Sequence, residues 1–148
     1  MKKDKTNSPV INFVGYRIDK INYEIASKNT DNRRTNISAK YKIFREKNLA
    51  EATLISKFRN ERHSKDGSVS RDCEIQITGS FKLKPQTTIE DAKEYIAING
   101  SSMLYPYLRT ISSLIVALDA PENVILPSIN FLDAYKNLKP ESDLDNND

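Results

Sequence analysis

The stretch "SVSRDCEIQITGSFKLK", residues 68–84, decides the fold of this chain. Polar and charged residues fill its even positions from Asp72 to Lys82. Its apolar residues share the other parity: Cys73, Ile75, Ile77, Phe81 and Leu83. Side chains of a β-strand point alternately to the two faces of the sheet. The stretch therefore predicts an antiparallel strand with one buried face and one face in water.

The residues just upstream supply a partner for this strand. "AEATLISKFRNER", residues 50–62, leads through the connection "HSKDGS" into the central stretch. The dipeptide Asp66-Gly67 in that connection is typical of a tight turn, so the two segments predict a β-hairpin. His63 lies at the hairpin tip, where we expect a solvated side chain rather than a catalytic one.

The first structured segment, "VINFVGYRIDKINYEIA" at residues 10–26, predicts one long strand with a bend in it. Its apolar residues alternate on one parity up to Ile18 and on the other parity from Ile21 onward, so the phase changes at Asp19-Lys20. A phase change inside a strand predicts a β-bulge. A polar loop over residues 27–38 and a short strand, "KYKIF" at residues 40–44, complete the predicted sheet.

After Pro85 the pattern becomes helical. Thr88, with an acidic residue three positions later, predicts a capped helix over residues 89–99 that stops at Asn99-Gly100. We expect Ser101 or Ser102 to cap a long helix over residues 102–118. Pro106 would then lie in its first turn, where a missing N–H costs little.

A third helix is predicted over residues 130–138. Strands first and helices second define an α+β domain. We predict a four-stranded antiparallel sheet followed by a long helix and shorter flanking helices.

Length and composition restrict the class of protein. A chain of 148 residues supports one domain, which we place at residues 10–138, between a flexible N-terminus (1–9) and a disordered acidic segment (139–148). One cysteine and one histidine argue against a disulfide framework or a structural zinc site, and no cofactor is predicted. No apolar run is long enough to span a bilayer, so we expect a cytoplasmic protein.

The sequence contains no catalytic motif, so we expect that the protein is not an enzyme. Charge is uneven along the chain: residues 1–48 hold 12 basic and 5 acidic residues, and residues 85–148 hold 4 basic and 10 acidic ones. The basic stretch has aromatic residues interleaved: Lys40, Tyr41, Lys42, Phe44, Arg45 and Lys47. Basic and aromatic residues on a sheet can bind single-stranded nucleic acid, which stays open as an alternative of another class.

Three motifs in order resemble the SecB protein-export chaperone family. They are a strand "CEIQITGSF", a helix opening "LYPYLR" and a closing segment "PSINF". The matching residues are Cys73, Glu74, Gly79, Phe81, Leu104, Pro106, Tyr107, Arg109, Asn130 and Phe131. The resemblance implies a SecB-like fold and an ATP-independent chaperone, a homotetramer built as a dimer of dimers, that binds unfolded polypeptides in apolar grooves.

The resemblance also implies where those surfaces lie. The client groove would be walled by Tyr41, Ile43, Phe44, Phe131 and Tyr135, although core is the expected role of Phe131. The oligomer interface would lie on an apolar stripe of the long helix, broader than one small domain covers. That interface is assigned to Leu104, Tyr107, Leu108, Ile111 and Ile115.

Proteins of this family deliver clients to the SecA motor through an acidic face of the sheet. Glu24, Asp72 and Glu74 are the candidate docking residues here, but Lys20 stands where an acidic residue is expected and Asp72 where an apolar one is expected. The chain is also basic, with a sequence pI of about 8.9. General export is the role that the resemblance favours. A SecB-like chaperone dedicated to the antitoxin of a toxin–antitoxin pair is the alternative.

Overall fold

The computed structural model describes residues 11–26, 35–64, 67–119, 126–137 and 144–145. Its strands are β1 (Ile11–Ile25), β2 (Asn36–Phe44), β3 (Leu49–Ser64), β4 (Gly67–Leu83) and β5 (Leu144–Asp145). Its α-helices are α1 (Ile89–Tyr95), α2 (Ser101–Asp119) and α3 (Phe131–Asn137). A 3-10 turn at Arg45–Lys47 follows β2, and a π-helical turn at Ile96–Gly100 joins α1 to α2.

The sheet has the order β1-β4-β3-β2-β5. The first four strands pair antiparallel, which confirms the predicted four-stranded antiparallel sheet followed by helices. The two residues of β5 add a short parallel pairing beside β2. They come from the segment 139–148, for which we predicted disorder. The rest of that segment and the predicted flexible residues 1–9 lie outside the described residues.

β1 contains the predicted bulge. Its pairing with β4 shifts register between Ile18 and Lys20, and shifts again between Phe13 and Gly15. The side chain of Asp19 at the first shift accepts a hydrogen bond from the hydroxyl of Thr78 on β4. A bulge leaves one residue out of the ladder and bends the strand. The phase change in the sequence was therefore a correct signal.

β2 is longer than predicted, because it begins at Asn36 within the stretch that we expected to be loop. Residues 27–34 of that loop lie outside the described residues. Ser64 pairs with Gly67, which confirms the hairpin, while residues 65–66 lie outside the described residues. The side chain of His63 is not among those described.

The core lies between one face of the sheet and the helices. Fully buried side chains of the strands meet those of the helices: Leu54, Ile75, Ile77, Phe81, Ile96, Leu104 and Leu108. A Cβ at Gly79 would lie 3.0 Å from Cδ1 of Leu104, so glycine at this position lets α2 approach the sheet closely. We call the opposite face of the sheet, away from the helices, the wet face.

The predicted stop between the first two helices is wrong. Thr88 caps α1 as expected, since its side chain accepts a hydrogen bond from the amide of Asp91 at 3.1 Å. Gly100 does not end a helix, however, because the π-helical turn runs directly into α2. A Cβ there would lie 3.3 Å from Cδ1 of Ile96, so close packing explains this glycine. Ser102 is not a cap either; its hydroxyl donates to the carbonyl of Ile98 at 2.6 Å.

Candidate functional site

The tyrosines on either side of Pro106 hold α2 to two different parts of the molecule. Tyr105 is buried, packs edge-to-face on Phe131 of α3 with ring centroids 5.4 Å apart, and donates a hydrogen bond to the carbonyl of Pro127. Tyr107 lies on the other side, with its ring centroid 4.6 Å from that of Tyr16 on β1. The two tyrosines thus fix α2 between α3 and the edge strand β1.

Tyr41 of β2 and Tyr135 of α3 lie close enough for their phenols to interact. We call the surface defined by Tyr41, Ser101, Leu132 and Tyr135 the groove. Tyr41 is half-buried on the helix side of β2, and its hydroxyl lies 3.0 Å from Oγ of Ser101, the fully buried first residue of α2. Leu132 and Tyr135 lie three residues apart on α3 and are 42% and 36% exposed. Residues with this spacing are neighbours on a helix surface. The groove therefore presents apolar and aromatic surface to solvent.

Burial holds the Tyr41 phenol in its neutral form. Burial raises the pKa of this phenol, the hydrogen bond with Ser101 lowers it, and the nearby phenol of Tyr135 raises it further. The net direction of the pKa is upward.

α3 is placed by its own N-terminal cap. Oδ1 of Asn130 accepts hydrogen bonds from the amides of Leu132 at 3.0 Å and Asp133 at 3.1 Å. This pattern is a typical asparagine cap. It turns Phe131 inward against Tyr105 and leaves Leu132 exposed. Leu132 was missed in the sequence analysis. The signal for it was the apolar pair Leu132 and Tyr135 at helical spacing after a capping asparagine.

The other predicted groove residues lie elsewhere. Phe131 is 8% exposed and belongs to the core, as expected. Ile43 is buried in the wall of a separate cavity of about 240 Å³, which it shares with Leu83 and Ile89. Phe44 pairs with Leu49 on the wet-face parity of the sheet, opposite to Tyr41. Only Tyr41 and Tyr135 of the five are therefore available to a bound chain in the groove.

The wet face carries the predicted docking residues, and two of the three are in ion pairs. A carboxylate oxygen of Glu74 lies 3.3 Å from Nζ of Lys20. The carboxylate of Asp72 accepts two hydrogen bonds from Arg59, one from Nε at 2.9 Å and one from Nη2 at 3.4 Å. Glu24 is exposed and accepts a hydrogen bond from Asn22. Pairing with basic residues lowers the negative potential that a cationic partner would meet.

A second apolar surface runs along β1 and α2, and we call it the β1–α2 surface. Its exposed members are Val14, Tyr16, Ile18, Ile21, Ile25, Tyr107, Leu114 and Leu118. β1 is also an edge strand of the sheet. A contiguous exposed patch of apolar side chains on one face is typical of a protein–protein interface.

The predicted interface stripe divides between two faces of α2. Leu104 and Leu108 are fully buried in the core of this chain, so they have no surface to offer a second copy. Ile111 and Ile115 are half-buried against the same core. Tyr107 remains exposed, together with Leu114 and Leu118. The spacing in the sequence could not separate the two faces, because both are apolar.

The basic stretch also divides between two faces. Lys40 and Lys42 pair with Thr53 and Glu51 on the wet face, whereas Tyr41 faces the helices. Of the two aromatic residues of this stretch, Phe44 therefore shares the wet face with the lysines and Tyr41 does not.

In the described part of the chain, no group of three or more histidine, cysteine, aspartate or glutamate residues could hold a metal ion. None of the helices described is long and apolar enough to cross a membrane. Cys73 is buried, and burial raises the pKa of its thiol to about 12.

Comparison with solved structures shows that the chain has a SecB-like fold. The Rv1957 SecB-like chaperone of Mycobacterium tuberculosis, solved in complex with a ChAD peptide from the Rv1956 HigA1 antitoxin, aligns over 80% of this chain and 90% of its own. The TM-score is 0.55 and the sequence identity is 11%. A protein of unknown function from Streptococcus agalactiae aligns over 80% of this chain and 97% of its own, with a TM-score of 0.56 and 8% identity. Neither a family model nor a curated protein matches the sequence.

Proposed function

We propose that this protein is an ATP-independent chaperone that holds extended, aggregation-prone polypeptides in the groove between β2 and α3. One observation carries the proposal. The phenol of Tyr41 on β2 interacts with that of Tyr135 on α3, and the side chains of Leu132 and Tyr135 are exposed. A chain added along a sheet edge gains backbone hydrogen bonds whatever its sequence, and apolar pockets select alternate side chains. This combination suits an unfolded client better than a folded one.

The proposal includes a dedicated client, with an antitoxin as the model, rather than general export. Delivery to SecA needs an accessible acidic face, and Lys20 and Arg59 pair with the acidic residues that would form it here. The mycobacterial chaperone of the same fold was solved with an antitoxin peptide. We therefore place the export role second.

Assembly is the third part of the proposal. The β1–α2 surface is the region where a second copy would pack, because its exposed apolar side chains adjoin an edge of β1 that no described strand pairs with. Two copies joined in this way would bury the side chains of Ile18 and Leu114 that a single copy exposes. We propose a dimer or a dimer of dimers.

A pair of titrations tests the proposed function against the nucleic-acid alternative. One uses fluorescently labelled, reduced and carboxymethylated lactalbumin, and the other a labelled single-stranded oligonucleotide, each at low and high salt and without nucleotide triphosphates. We expect saturable lactalbumin binding that changes little with salt. Oligonucleotide binding that falls steeply with salt, with no lactalbumin binding, would indicate a nucleic-acid-binding protein instead.

A further inference from the structure

The short strand β5 lies on the same edge of the sheet as the proposed client groove. Leu144 is in register with Tyr41 and Asp145 with Lys42, in a parallel pairing. Among the described residues, nothing else pairs with this outer edge of β2. The chain thus places its own backbone where an extended client would add.

We propose that β5 (Leu144–Asp145) is an intramolecular competitor that occupies the β2 edge until a client displaces it. The inference rests on the proposed function, because the competition is for the same edge. The edge of β2 is then a site for strand addition, and in the absence of a client it is occupied by Leu144 and the neighbouring Asp145.

The opposite charges of the two segments favour the pairing of β5 with β2. Lys40 and Lys42 are exposed on β2, and Arg45 and Lys47 follow immediately in the 3-10 turn. The segment 139–148 has the sequence "KPESDLDNND", in which Leu144 is flanked by two aspartates. Opposite charges on neighbouring strands stabilise their pairing by a few tenths of a kcal/mol to about 1 kcal/mol.

The short covalent connection between α3 and β5 raises the occupancy of a weak pairing. Six residues, 138–143, connect the end of α3 at Asn137 to Leu144. Such a connection can extend over roughly 20 Å. A short tether gives an effective concentration on the order of millimolar, so two paired residues suffice for partial occupancy. Because so few hydrogen bonds hold it, a client that pairs along more of β2 can displace it.

The test uses the full chain with Leu144→Pro, which removes the amide of the paired strand, and Asn147→Pro as a matched proline control. Two readouts are measured on each protein: hydrogen exchange of the β2 amides at residues 40–43, and the Kd for reduced, carboxymethylated lactalbumin. We expect Leu144→Pro to accelerate exchange on the β2 edge and to tighten lactalbumin binding about three- to tenfold, whereas Asn147→Pro changes neither. A synthetic peptide of residues 139–148, added to the Leu144→Pro protein, should weaken lactalbumin binding again.

Unchanged exchange in Leu144→Pro would overturn the inference, because the segment would then not be seated on β2. Faster exchange with an unchanged Kd would also overturn it, since the segment and the client would not compete. A wild-type protein with protected β2 amides that binds no lactalbumin, even as Leu144→Pro, would overturn the proposed function and the competitor role together. The exchange measurement distinguishes that failure from the first one.

Discussion

The hydroxyl of Tyr41 on β2 lies 3.0 Å from Oγ of Ser101 at the start of α2. Ser101 is fully buried, so this contact supplies a partner for a hydroxyl that has no access to water. It also fixes the Tyr41 ring in the groove between β2 and α3. The same side chain therefore contributes to stability through its hydroxyl and to the proposed binding through its ring.

Tyr41→Phe separates these two contributions. It removes the partner of Ser101, so we expect the free energy of unfolding in urea to fall by about 1–2 kcal/mol. Because the ring remains, lactalbumin binding should stay within about twofold of the wild-type value. A loss of binding that is as large as that of Tyr41→Ala would show that the hydroxyl, not the ring, contacts the client.

Tyr135→Ala tests the exposed wall of the groove. Truncating an aromatic contact that is desolvated on binding costs roughly 1–3 kcal/mol, so the Kd for lactalbumin should rise about tenfold or more. Phe44→Ala is the matched control, since Phe44 has the opposite parity on β2 and should leave binding nearly unchanged. Equal weakening by the two substitutions would contradict the groove as defined here.

The sheet could be predicted from the sequence more accurately than the candidate functional site. Alternation at Cys73–Leu83 and the phase change at Asp19-Lys20 correctly predicted β4 and the bulge in β1. Both signals are local. The helix boundary at Asn99-Gly100 was wrong, because glycine also serves close packing, and only the tertiary structure shows that Ile96 lies against Gly100.

The groove could not be predicted from the sequence for a different reason. Tyr41 and Tyr135 are 94 positions apart in the sequence, and the contact between their regions depends on the cap at Asn130. Phe44 was assigned to the groove because it is aromatic and close to Tyr41 in the chain. Its side of the strand depends on the register with Leu49, which the composition does not reveal.

Charge on the β1–α2 surface should dissociate the assembly. The side chains of Ile18 and Leu114 are 49% and 60% exposed in a single copy. Ile18→Lys and Leu114→Lys each replace one of them with a charged ammonium group. Burying such a charge without a partner costs several kcal/mol, so light scattering at tens of micromolar should show a lower mass than for wild type. The circular dichroism spectrum should not change.

Asn99→Lys, at an exposed position on the π-helical turn, is the control and should keep the wild-type mass. Leu108→Asp should instead unfold the protein, because Leu108 is fully buried. A wild-type protein that scatters as a monomer would contradict the proposed assembly.

The ion pair between Arg59 and Asp72 should be measurable in stability. The side chain of Arg59 is only 8% exposed, and Asp72 binds it through two nitrogens. Asp72→Asn removes a carboxylate that is itself 42% exposed, so the free energy of unfolding should fall by about 0.5–1 kcal/mol. If the midpoint of urea unfolding does not move, the pair does not hold the wet face in the way described.

Stability should fall at alkaline pH through the buried thiol. Burial raises the pKa of Cys73 to about 12 from its ordinary value of 9.0, so the folded state keeps a proton that the unfolded chain releases. The stabilisation is complete below pH 9 and is lost as the pH rises toward 12. Between pH 9 and about pH 10.5 we expect a loss of roughly 1–2 kcal/mol from this group.

Cys73→Ala provides the comparison. The substitution should lower stability at every pH by opening a small cavity, but its stability should fall less steeply above pH 9 than that of wild type. Tyr23, Tyr41 and Tyr105, whose pKa values are also raised by burial, contribute further slope in both proteins. Identical slopes for the two proteins would contradict the assignment to Cys73.

Site-specific photo-crosslinking tests the central claim most directly. Benzoylphenylalanine is placed at Tyr135 in the groove and, as a control, at Lys82 on the exposed wet face, and each protein is irradiated with reduced, carboxymethylated lactalbumin. The account predicts a strong crosslink from position 135 that unlabelled client suppresses, and little or none from position 82. Crosslinking from position 82 with none from position 135 would contradict the claim that the groove between β2 and α3 binds extended polypeptides.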